Sequence, residues 1–222
     1  MPYTTINKHT ANFNHKLYTG DASSSQAQTG IGHQPDMVWV KSRSSNDGHF
    51  IIDSVRGATK AIRPYDTDAE VTDTAGLLSF DTDGFTVGSS GPYGASGTNY
   101  VAWNWKAGGS ASSNSNGSIT SSVSANTTAG FSIVSYTGNA TSGATIGHGL
   151  GAVPKMVITK NRDEGSASQD WCVYHVSVGA NKGMFLNLTN SPDTNAKYFN
   201  DTTPTSSVFT VGNNLGTNGS GD

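Results

Sequence analysis

Few side chains in this sequence stand at spacings that suit catalysis. Cys172 is the only cysteine and lies in Trp171-Cys172-Val173-Tyr174, a run typical of a strand that buries a thiol as a small hydrophobe. Nothing in the sequence pairs a histidine with this thiol, and there is no Gly-x-Ser-x-Gly elbow. No two carboxylates are placed convincingly for glycoside hydrolysis. The sequence therefore predicts no catalytic residues and a protein that is not an enzyme.

Two histidines are the most interesting candidates for binding. His33 ends Ile31-Gly32-His33 and His148 ends Ile146-Gly147-His148, and a proline follows within a few residues of each. Their imidazole nitrogens could bind a metal or line a repeated pocket. The alternative is a turn histidine whose ring bonds the backbone. Both are therefore speculative binding residues, and no metal ligand is assigned.

The segment Asp81-Thr82-Asp83-Gly84 could be half of a calcium loop, because alternating carboxylates suit a hard cation. It lacks the remaining ligands and a distal glutamate. A hairpin turn in which Gly84 takes a positive φ explains the same residues. The sequence therefore predicts a turn here, with neither a metal ion nor a cofactor.

Aromatic side chains are the remaining candidates for recognition. Tyr93 lies in Gly91-Pro92-Tyr93-Gly94, and we expect its ring to be the one exposed for binding. The alternative is that Tyr93 anchors the turn or packs in the core. Trp103 and Trp105 are two residues apart in a strand-like run, so they face the same side of it.

The first and second halves of the sequence share a series of similar runs in the same order. The matching runs are residues 13–20 and 131–138, 31–33 and 146–148, 37–41 and 156–160, 57–60 and 179–182, and 85–88 and 209–212. The offset between the copies drifts along the chain while the apolar landmarks keep their order. This pattern indicates a duplicated domain with insertions in its loops, too long a repeat for a solenoid.

Strands are indicated by β-branched and aromatic runs bounded by Gly, Asp, Asn and Pro, and no window shows a helical stripe. The predicted strands are residues 13–18, 37–43, 50–55, 77–80, 85–88 and 100–106 in the first copy, and 131–137, 156–160, 171–176, 184–188 and 208–211 in the second. The predicted fold is all-β, with two tandem duplicated antiparallel β-sandwich domains, jelly-roll or lectin-like, the second lacking its last strand.

The predicted domains are a first β-sandwich repeat at residues 1–107 and a second, incomplete at its C-terminal end, at residues 131–222. Residues 108–130, rich in Gly, Ser, Asn and Thr, form either a linker or a lead-in strand. Gly216-Thr217-Asn218 matches Gly97-Thr98-Asn99, after which only the first copy continues into a strand. The second copy should therefore be marginal alone, and we hypothesise either a fragment of a longer chain or a strand supplied by another chain through β-augmentation.

Composition excludes some partners. The formal net charge is only −3, and 13% of the residues are charged, so there is no electrostatic footprint for nucleic acid. No apolar run approaches the length of a membrane span, and the first residues do not resemble a signal peptide. We therefore expect neither nucleic-acid binding nor membrane insertion.

Five sequence runs together carry a resemblance to a known kind of protein. They are residues 17–20, 34–43, 53–60, 80–85 and 100–109. Their combination resembles tail-fibre-type structural proteins of marine bacteriophages, with Ile146-Gly147-His148-Gly149-Leu150 and Asn187-Leu188-Thr189 as the companion module. The resemblance covers nearly the whole chain.

This resemblance implies a non-enzymatic virion protein that is assembled in the bacterial host cytoplasm. It implies assembly as a homo-oligomer, fibres being commonly trimers, contact with other virion proteins, and attachment to a host surface glycan or protein. One alternative is a capsid decoration or filament-forming protein completed by a strand from a neighbouring chain. Another is a carbohydrate-binding module or a depolymerase.

Overall fold

The computed structural model describes residues 8–163 and 169–221, and they confirm the all-β prediction, with antiparallel strand pairing throughout the named sheets. The strands are β1 Phe13–Thr19, β2 Gln26–Thr29, β3 Met37–Ser42, β4 His49–Asp53, β5 Lys60–Ile62, β6 Val71–Thr72, β7 Leu77–Asp81, β8 Gly84–Val87, β9 Asn99–Trp105, β10 Ser112–Asn114, β11 Ser121–Asn126, β12 Phe131–Tyr136, β13 Ala144–Gly147, β14 Met156–Thr159, β15 Cys172–His175, β16 Lys182–Phe185, β17 Asp193–Thr194 and β18 Val208–Val211. The helices are a 3-10 turn at His9–Ala11, α1 Gly91–Gly94 and α2 Leu215–Asn218. No helix in the described residues is long and apolar enough to cross a membrane.

The chain forms two compact units. Unit 1 contains the chain up to Arg63 together with Val71–Ser110, and unit 2 contains Pro64–Glu70 together with the chain from Ala111 onward. The loop Pro64–Glu70, which joins β5 to β6 in the first half of the chain, thus belongs to unit 2.

Unit 1 has two sheets. The larger has the order β1-β9-β3-β4-β5-β6, and the smaller has the order β2-β8-β7. β9 is the last strand of unit 1 in the sequence, yet it lies inside the large sheet and pairs with β1 on one edge and β3 on the other. Within the described residues, β3 therefore depends on β9 for one of its two strand partners, and β1, at the edge of the sheet, depends on it for its one strand partner.

The core of unit 1 is one continuous cluster. Alternate residues of the central strands point inward and are fully buried, as the two-residue period of a strand requires. Val38, Val40, Tyr100 and Ala102 are at most 1% exposed. They pack with residues of the small sheet, such as Phe85, in one apolar cluster.

A buried carboxylate fixes the end of β9. Asp36 is 2% exposed, and its Oδ2 accepts hydrogen bonds from the backbone N–H groups of Ala107 (2.7 Å) and Gly109 (3.3 Å). Its Oδ1 accepts one from the Ser54 hydroxyl (3.1 Å), and its own N–H donates to the Trp105 carbonyl (2.8 Å). Because a buried carboxylate is stable only when it is well bonded, this network holds the chain directly after β9 in place.

The Asp81–Gly84 segment is a hairpin turn, as predicted. β7 pairs with β8, and Gly84 has φ +154°. The Asp83 carboxylate accepts backbone N–H bonds from Gly30 and Gly32, and these bonds lower its pKa. Its oxygens are therefore engaged in joining two loops.

Unit 2 has its strands in three separate sheets. Their orders are β10-β11-β12, β13-β18 and β14-β15-β16-β17. By chain order and sequence, β12 corresponds to β1, β13 to β2, β14 to β3, and β15 to β4. The sheet that is continuous in unit 1 is therefore divided in unit 2, between β12 and β14.

The linker alternative for residues 108–130 is wrong for much of that segment. It contains β10 and β11, and β11 forms a hairpin with β12. Val123 and Ser121 are buried, and the Ser121 hydroxyl donates to the Gly147 carbonyl at 2.9 Å. Ser and Thr can form strands where a sheet neighbour satisfies their backbone, which a composition argument does not detect.

The Tyr-Thr-Gly run that occurs in both copies has the same role in both units. The Tyr18 hydroxyl donates to the carbonyl of Tyr93 at 2.9 Å, and the Tyr136 hydroxyl donates to the carbonyl of Thr217 at 2.5 Å. In each unit the acceptor belongs to the short helix, so Thr217 is the counterpart of Tyr93. The prediction that Gly216-Thr217-Asn218 matches Gly97-Thr98-Asn99 is therefore wrong, because α2 matches α1 instead.

We predict that Gly20→Ala and Gly138→Ala each destabilise the unit that contains them by about 1–3 kcal/mol. A Cβ at Gly20 would overlap the carbonyl oxygen of Ala95, and one at Gly138 would overlap that of Gly219. Scanning calorimetry of the full chain measures both changes. Gly91→Ala is the control, since a Cβ there meets nothing within 4 Å. Equal unfolding midpoints for all three variants would contradict the prediction.

Candidate assembly site

The site with the clearest chemical consequence is the break in the sheet of unit 2, which we call the gap. In the described residues, β12 pairs only with β11, and β14 pairs only with β15. In unit 1 the corresponding strands, β1 and β3, both pair with β9. The gap thus lies where unit 2 has no counterpart of β9 among the described residues.

The backbone of β14 is oriented for another strand. In an antiparallel pair, the N–H and C=O of successive residues point alternately to the two sides. The N–H of Val176 donates to the carbonyl of Lys155 at 2.9 Å, so Lys155, Val157 and Thr159 face β15. The N–H and C=O groups of Met156 and Ile158 therefore point into the gap.

The side chains along the gap are more exposed than their counterparts in unit 1. Met156 is 51% exposed and Ile158 is 43% exposed. Each would lie beside a residue of the next strand if a strand filled the gap, as Trp39 lies beside Trp103 in unit 1 (ring centroids 6.2 Å apart). Together they form an apolar edge whose backbone pairs with no strand of residues 8–163 and 169–221 on the side of the gap.

The apolar core of unit 2 is divided at the same place. One cluster contains Ile146 and Phe209, and the other contains Cys172 and Tyr174. Val157 of β14, which is only partly buried, packs against both clusters. In unit 1 the equivalent region is filled by inward side chains of β9, which join the core into one cluster.

One end of the gap is closed by the segment Pro64–Glu70. The N–H of Glu70 donates to the carbonyl of Arg162 at 2.8 Å, and the Lys160 ammonium donates to the carbonyl of Thr67 at 3.1 Å. Burial lowers the pKa of Lys160, while the nearby Asp66 and Asp68 oppose this change. The freely accessible length of the edge is therefore β14 itself, Met156–Thr159.

His33 and His148 are both buried and bonded to the backbone. His33 is 5% exposed, and its Nδ1 lies 2.9 Å from the carbonyl of Thr10. His148 is 3% exposed, with Nε2 3.2 Å from the carbonyl of Thr205 and Nδ1 3.2 Å from the N–H of Leu150. These contacts require a neutral His148 ring that donates from Nε2 and accepts at Nδ1.

The two histidines do not occupy equivalent positions, so the predicted match between them is wrong. β2 of unit 1 ends at Thr29 opposite Gly84, and β13 of unit 2 ends at Gly147 opposite Val208, so the residue after the strand is Gly30 in unit 1 and His148 in unit 2. His33 lies three residues further along. His33 and His148 do not form a repeated pocket.

Of the two interpretations of Tyr93, packing in the core is confirmed and an exposed ring is wrong. Tyr93 is 1% exposed, and its ring centroid lies 5.4 Å from that of Phe50. The ring covers Gly76, where a Cβ would lie 2.9 Å from it. The loop that carries Tyr93 folds into α1 and directs the ring into the core, where a large aromatic surface gains most from burial.

Cys172 is an unreactive thiol. It is 1% exposed, and burial raises its pKa to about 12, with Asp170 adding to the change. A thiol with so high a pKa carries no thiolate at neutral pH. Across residues 8–163 and 169–221, no group of three His, Cys, Asp or Glu side chains could hold a metal ion.

Unit 2 also carries an open cleft of about 550 Å³. Its lining includes the rings of Phe185 and Tyr198 and the carboxylates of Asp170 and Asp193. Asp193 accepts a hydrogen bond from the Tyr198 hydroxyl at 2.7 Å, and Asp170 accepts one from the Asn187 amide at 2.8 Å. The cleft combines aromatic and polar surface, and both its acids are already bonded to neighbouring side chains.

Comparison with known proteins gives a family but no function. A family model described as "Domain of unknown function (DUF7483)" matches residues 8–222. No curated protein matches the chain, and no solved structure matches it.

We predict that acidification destabilises unit 2 through His148. Burial lowers the pKa of His148 below its ordinary value of 6.5, so the unfolded chain binds a proton that the folded ring does not. This contribution to stability is present above the unfolded pKa and is lost as the pH falls below it. The unfolding midpoint, measured by calorimetry, should fall between about pH 7.5 and about pH 5.5 in the wild type. His148→Leu removes this part of the change, and an equally steep fall in that variant would contradict the assignment.

Proposed function

We propose that this chain, which belongs to the family of DUF7483 domains, is a non-enzymatic structural protein of a bacteriophage virion. It acts in a tail-fibre-like assembly and in attachment to the bacterial host surface. The observation that carries the assembly role is the gap between β12 and β14. The virion context and the attachment role rest on the sequence resemblance.

The gap supports assembly because an added strand would gain both main-chain hydrogen bonds and the burial of apolar side chains. The N–H and C=O groups of Met156 and Ile158 can form main-chain hydrogen bonds with an added strand, and the exposed side chains of the same two residues can pack against it. Each large side chain buried there contributes roughly 1.5–3 kcal/mol, which is large beside a net domain stability of about 5–15 kcal/mol. A strand from another chain would therefore stabilise unit 2 substantially.

The residues on this edge are of the kind that allows another strand to pair, not of the kind that prevents pairing. Proteins that avoid edge-to-edge pairing place lysine, proline, bulges or a covering loop on exposed strands. Here the accessible edge carries Met156 and Ile158, and the protective segment Pro64–Glu70 covers only the part beyond it, at Lys160 and Arg162. The edge is left open where it is most apolar.

The proposed setting agrees with the cysteine chemistry. The one cysteine is buried, with a raised pKa, so the fold does not depend on oxidation. Assembly in a reducing bacterial cytoplasm, followed by incorporation into the virion, needs no disulfide. The proposed partners are other copies of this chain and other virion proteins, with a glycan or protein of the host surface as the receptor.

Two alternative functions use features of unit 2. A capsid decoration or filament-forming protein would use the same gap, and electron microscopy of the particle would distinguish it by its helical or icosahedral arrangement. A carbohydrate-binding module would use the cleft, where the rings of Phe185 and Tyr198 provide apolar faces and Asn190 and Asp193 provide polar groups. Glycan-array binding that is lost in Phe185→Ala would favour that alternative.

We predict that Ile158→Lys abolishes self-association of the full chain while Leu188→Lys leaves it unchanged. Both side chains are apolar and similarly exposed, 43% and 40%, but only Ile158 lies on the gap. A charged side chain on the edge opposes the pairing of another strand. Light scattering after size-exclusion chromatography measures the mass, and negative-stain microscopy shows the assemblies.

A direct assay uses a labelled peptide of residues 97–107, which contains the β9 strand. It should bind the wild-type chain saturably and fail to bind Ile158→Lys, as measured by fluorescence anisotropy. If the wild-type chain is strictly monomeric and also does not bind this peptide, the assembly role is overturned. Cell-binding assays with labelled protein test the attachment role separately.

A further inference from the structure

We infer, on the basis of the proposed attachment role, that the outer face of the large sheet of unit 1 binds a neutral polysaccharide. The outward side chains of β1, β9, β3 and β4 form this surface, which we call the aromatic face. Its apolar members include Phe13, Leu17, Trp39, Val101, Trp103 and Trp105. The attachment role thereby gains a site in this chain and a chemical class of receptor.

The aromatic face lacks the polar surface expected of a sheet side that faces solvent. The inward residues of the same strands, such as Val38, Tyr100 and Ala102, are fully buried, and the residues between them are partly or fully exposed. In an antiparallel sheet with one side on the core, the other side is normally polar. Here Phe13 is 36% exposed and Leu17 is 53% exposed. Adjoining apolar side chains at the surface are a signal of a binding site.

The strand register sets the aromatic residues beside one another. Trp103 of β9 lies opposite His15 on β1 and opposite Trp39 on β3. In the next row, Trp105 lies opposite Phe13, and their ring centroids are 5.0 Å apart. Aromatic rings therefore occupy two adjacent rows of the sheet.

The rings of Trp39 and His49 form one flat surface. The Trp39 Nε1–H donates to His49 Nδ1 at 2.8 Å, and the two ring planes differ by 7°. Because an indole N–H points along the plane of its ring, this bond holds the rings side by side and not one above the other. The Trp103 ring lies next to Trp39, with centroids 6.2 Å apart and planes at 72°. The three rings thus give a ligand apolar surface in two directions.

A saccharide ring suits such a surface. It has an apolar face of C–H groups, which packs against an aromatic ring, and a rim of hydroxyl groups that donate and accept hydrogen bonds. Polar side chains adjoin the tryptophans, since His15 is exposed beside Trp103 and Lys41 is half-buried one row from Trp39. The aromatic face therefore offers both kinds of contact that a saccharide makes.

The charge on the aromatic face favours a neutral ligand. Its central row consists of His15, Trp103, Trp39 and Ile51. This row contains no carboxylate, lysine or arginine. At one end of the face, the Asp53 carboxylate is balanced by the Arg56 guanidinium, whose Nε lies 2.5 Å away. At the opposite end, the Lys41 ammonium donates to the carbonyl of Asp47 at 2.7 Å. The middle of the face thus matches an uncharged ligand.

The size of the aromatic face favours a polysaccharide over a second protein. Four strands about 4.8 Å apart, with three outward residues along each at a spacing of about 6.6 Å, cover about 300–400 Å². A stable protein–protein interface needs about 800 Å² on each partner. The face is too small for that, but a narrow polysaccharide chain can lie across its rings.

Polysaccharide binding by the full-length protein is the direct test. Labelled wild type and variants are applied to a printed array of neutral and acidic bacterial surface polysaccharides. We expect binding to a neutral polysaccharide, weakened at least about tenfold in Trp39→Leu, because aromatic anchors contribute a large share of binding energy. Leucine keeps an apolar side chain on the sheet but removes the ring. Leu215→Ala, at a leucine of unit 2 that is 45% exposed, is the control and should bind as the wild type does.

A fluorescence titration tests the same site without a substitution. Three of the four tryptophans lie on the aromatic face, and the fourth, Trp171, is 4% exposed. The neutral polysaccharide that binds on the array should therefore change the tryptophan emission of the wild type. An unchanged emission spectrum at saturation would contradict binding at this face.

Several array results would overturn the inference. They are binding to acidic polysaccharides alone, no binding at all, and equal binding by the wild type and Trp39→Leu. Loss of binding in Phe185→Leu but not in Trp39→Leu would assign the site to the cleft of unit 2. If no polysaccharide binds and Trp39→Leu dissociates a wild-type oligomer in light scattering, the face is a protein interface instead.

Cell-binding assays separate this site from the attachment role itself. Wild-type protein that binds host cells, with equal binding by Trp39→Leu, leaves the attachment role intact and overturns the aromatic face as its site. Wild-type protein that binds no host cells, yet binds a neutral polysaccharide in a Trp39-dependent manner, overturns the attachment role and leaves the polysaccharide site intact.

Discussion

The structure depends on the double pairing of one strand. In unit 1, β9 is the last strand in the sequence, but it lies between β1 and β3, so it satisfies the backbone of both and closes the core over Phe85. An unpaired buried N–H or C=O costs free energy comparable to a lost hydrogen bond, so a missing inner strand costs more than a missing edge strand. The buried carboxylate of Asp36 accepts a hydrogen bond from the N–H of Ala107 and so holds the chain directly after β9 in place.

Unit 2 shows what happens to this architecture when that strand is not supplied by the described residues. The remaining strands keep their own pairings, and β10 and β11 extend the other side of β12. The core separates into two clusters that meet at Val157. The apolar edge of β14 then becomes surface. An interaction surface can therefore arise from the same packing rules that build the core, without any residue specialised for binding.

Several residues that look functional in the sequence have structural roles in the fold. His33 and His148 bond backbone carbonyls, and Tyr93 fills the core against Phe50. Each is polar or amphipathic, and the sequence offers a binding role for each. Whether such a side chain turns inward depends on residues distant in sequence, such as Gly76 beneath Tyr93, and short-range patterns carry no information about them.

The sequence by itself determined the strand-rich class, because β-branched and aromatic runs bounded by turn residues have few other stable solutions. Each of the eleven predicted strands overlaps an observed one, and the hairpin at Asp81–Gly84 was predictable from its turn residues. The strands β2, β5, β6, β13 and β17 were not predicted, since they are short or rich in Ser, Thr and Gln and are stabilised mainly by their neighbours. β10 and β11 lie in residues 108–130, for which a lead-in strand was one of two alternatives. Only the tertiary structure decided the register that gives His33 and His148 different positions, the burial of Tyr93 and the position of the gap. These depend on which strands lie side by side, and strand neighbours are set by contacts between residues far apart in the chain.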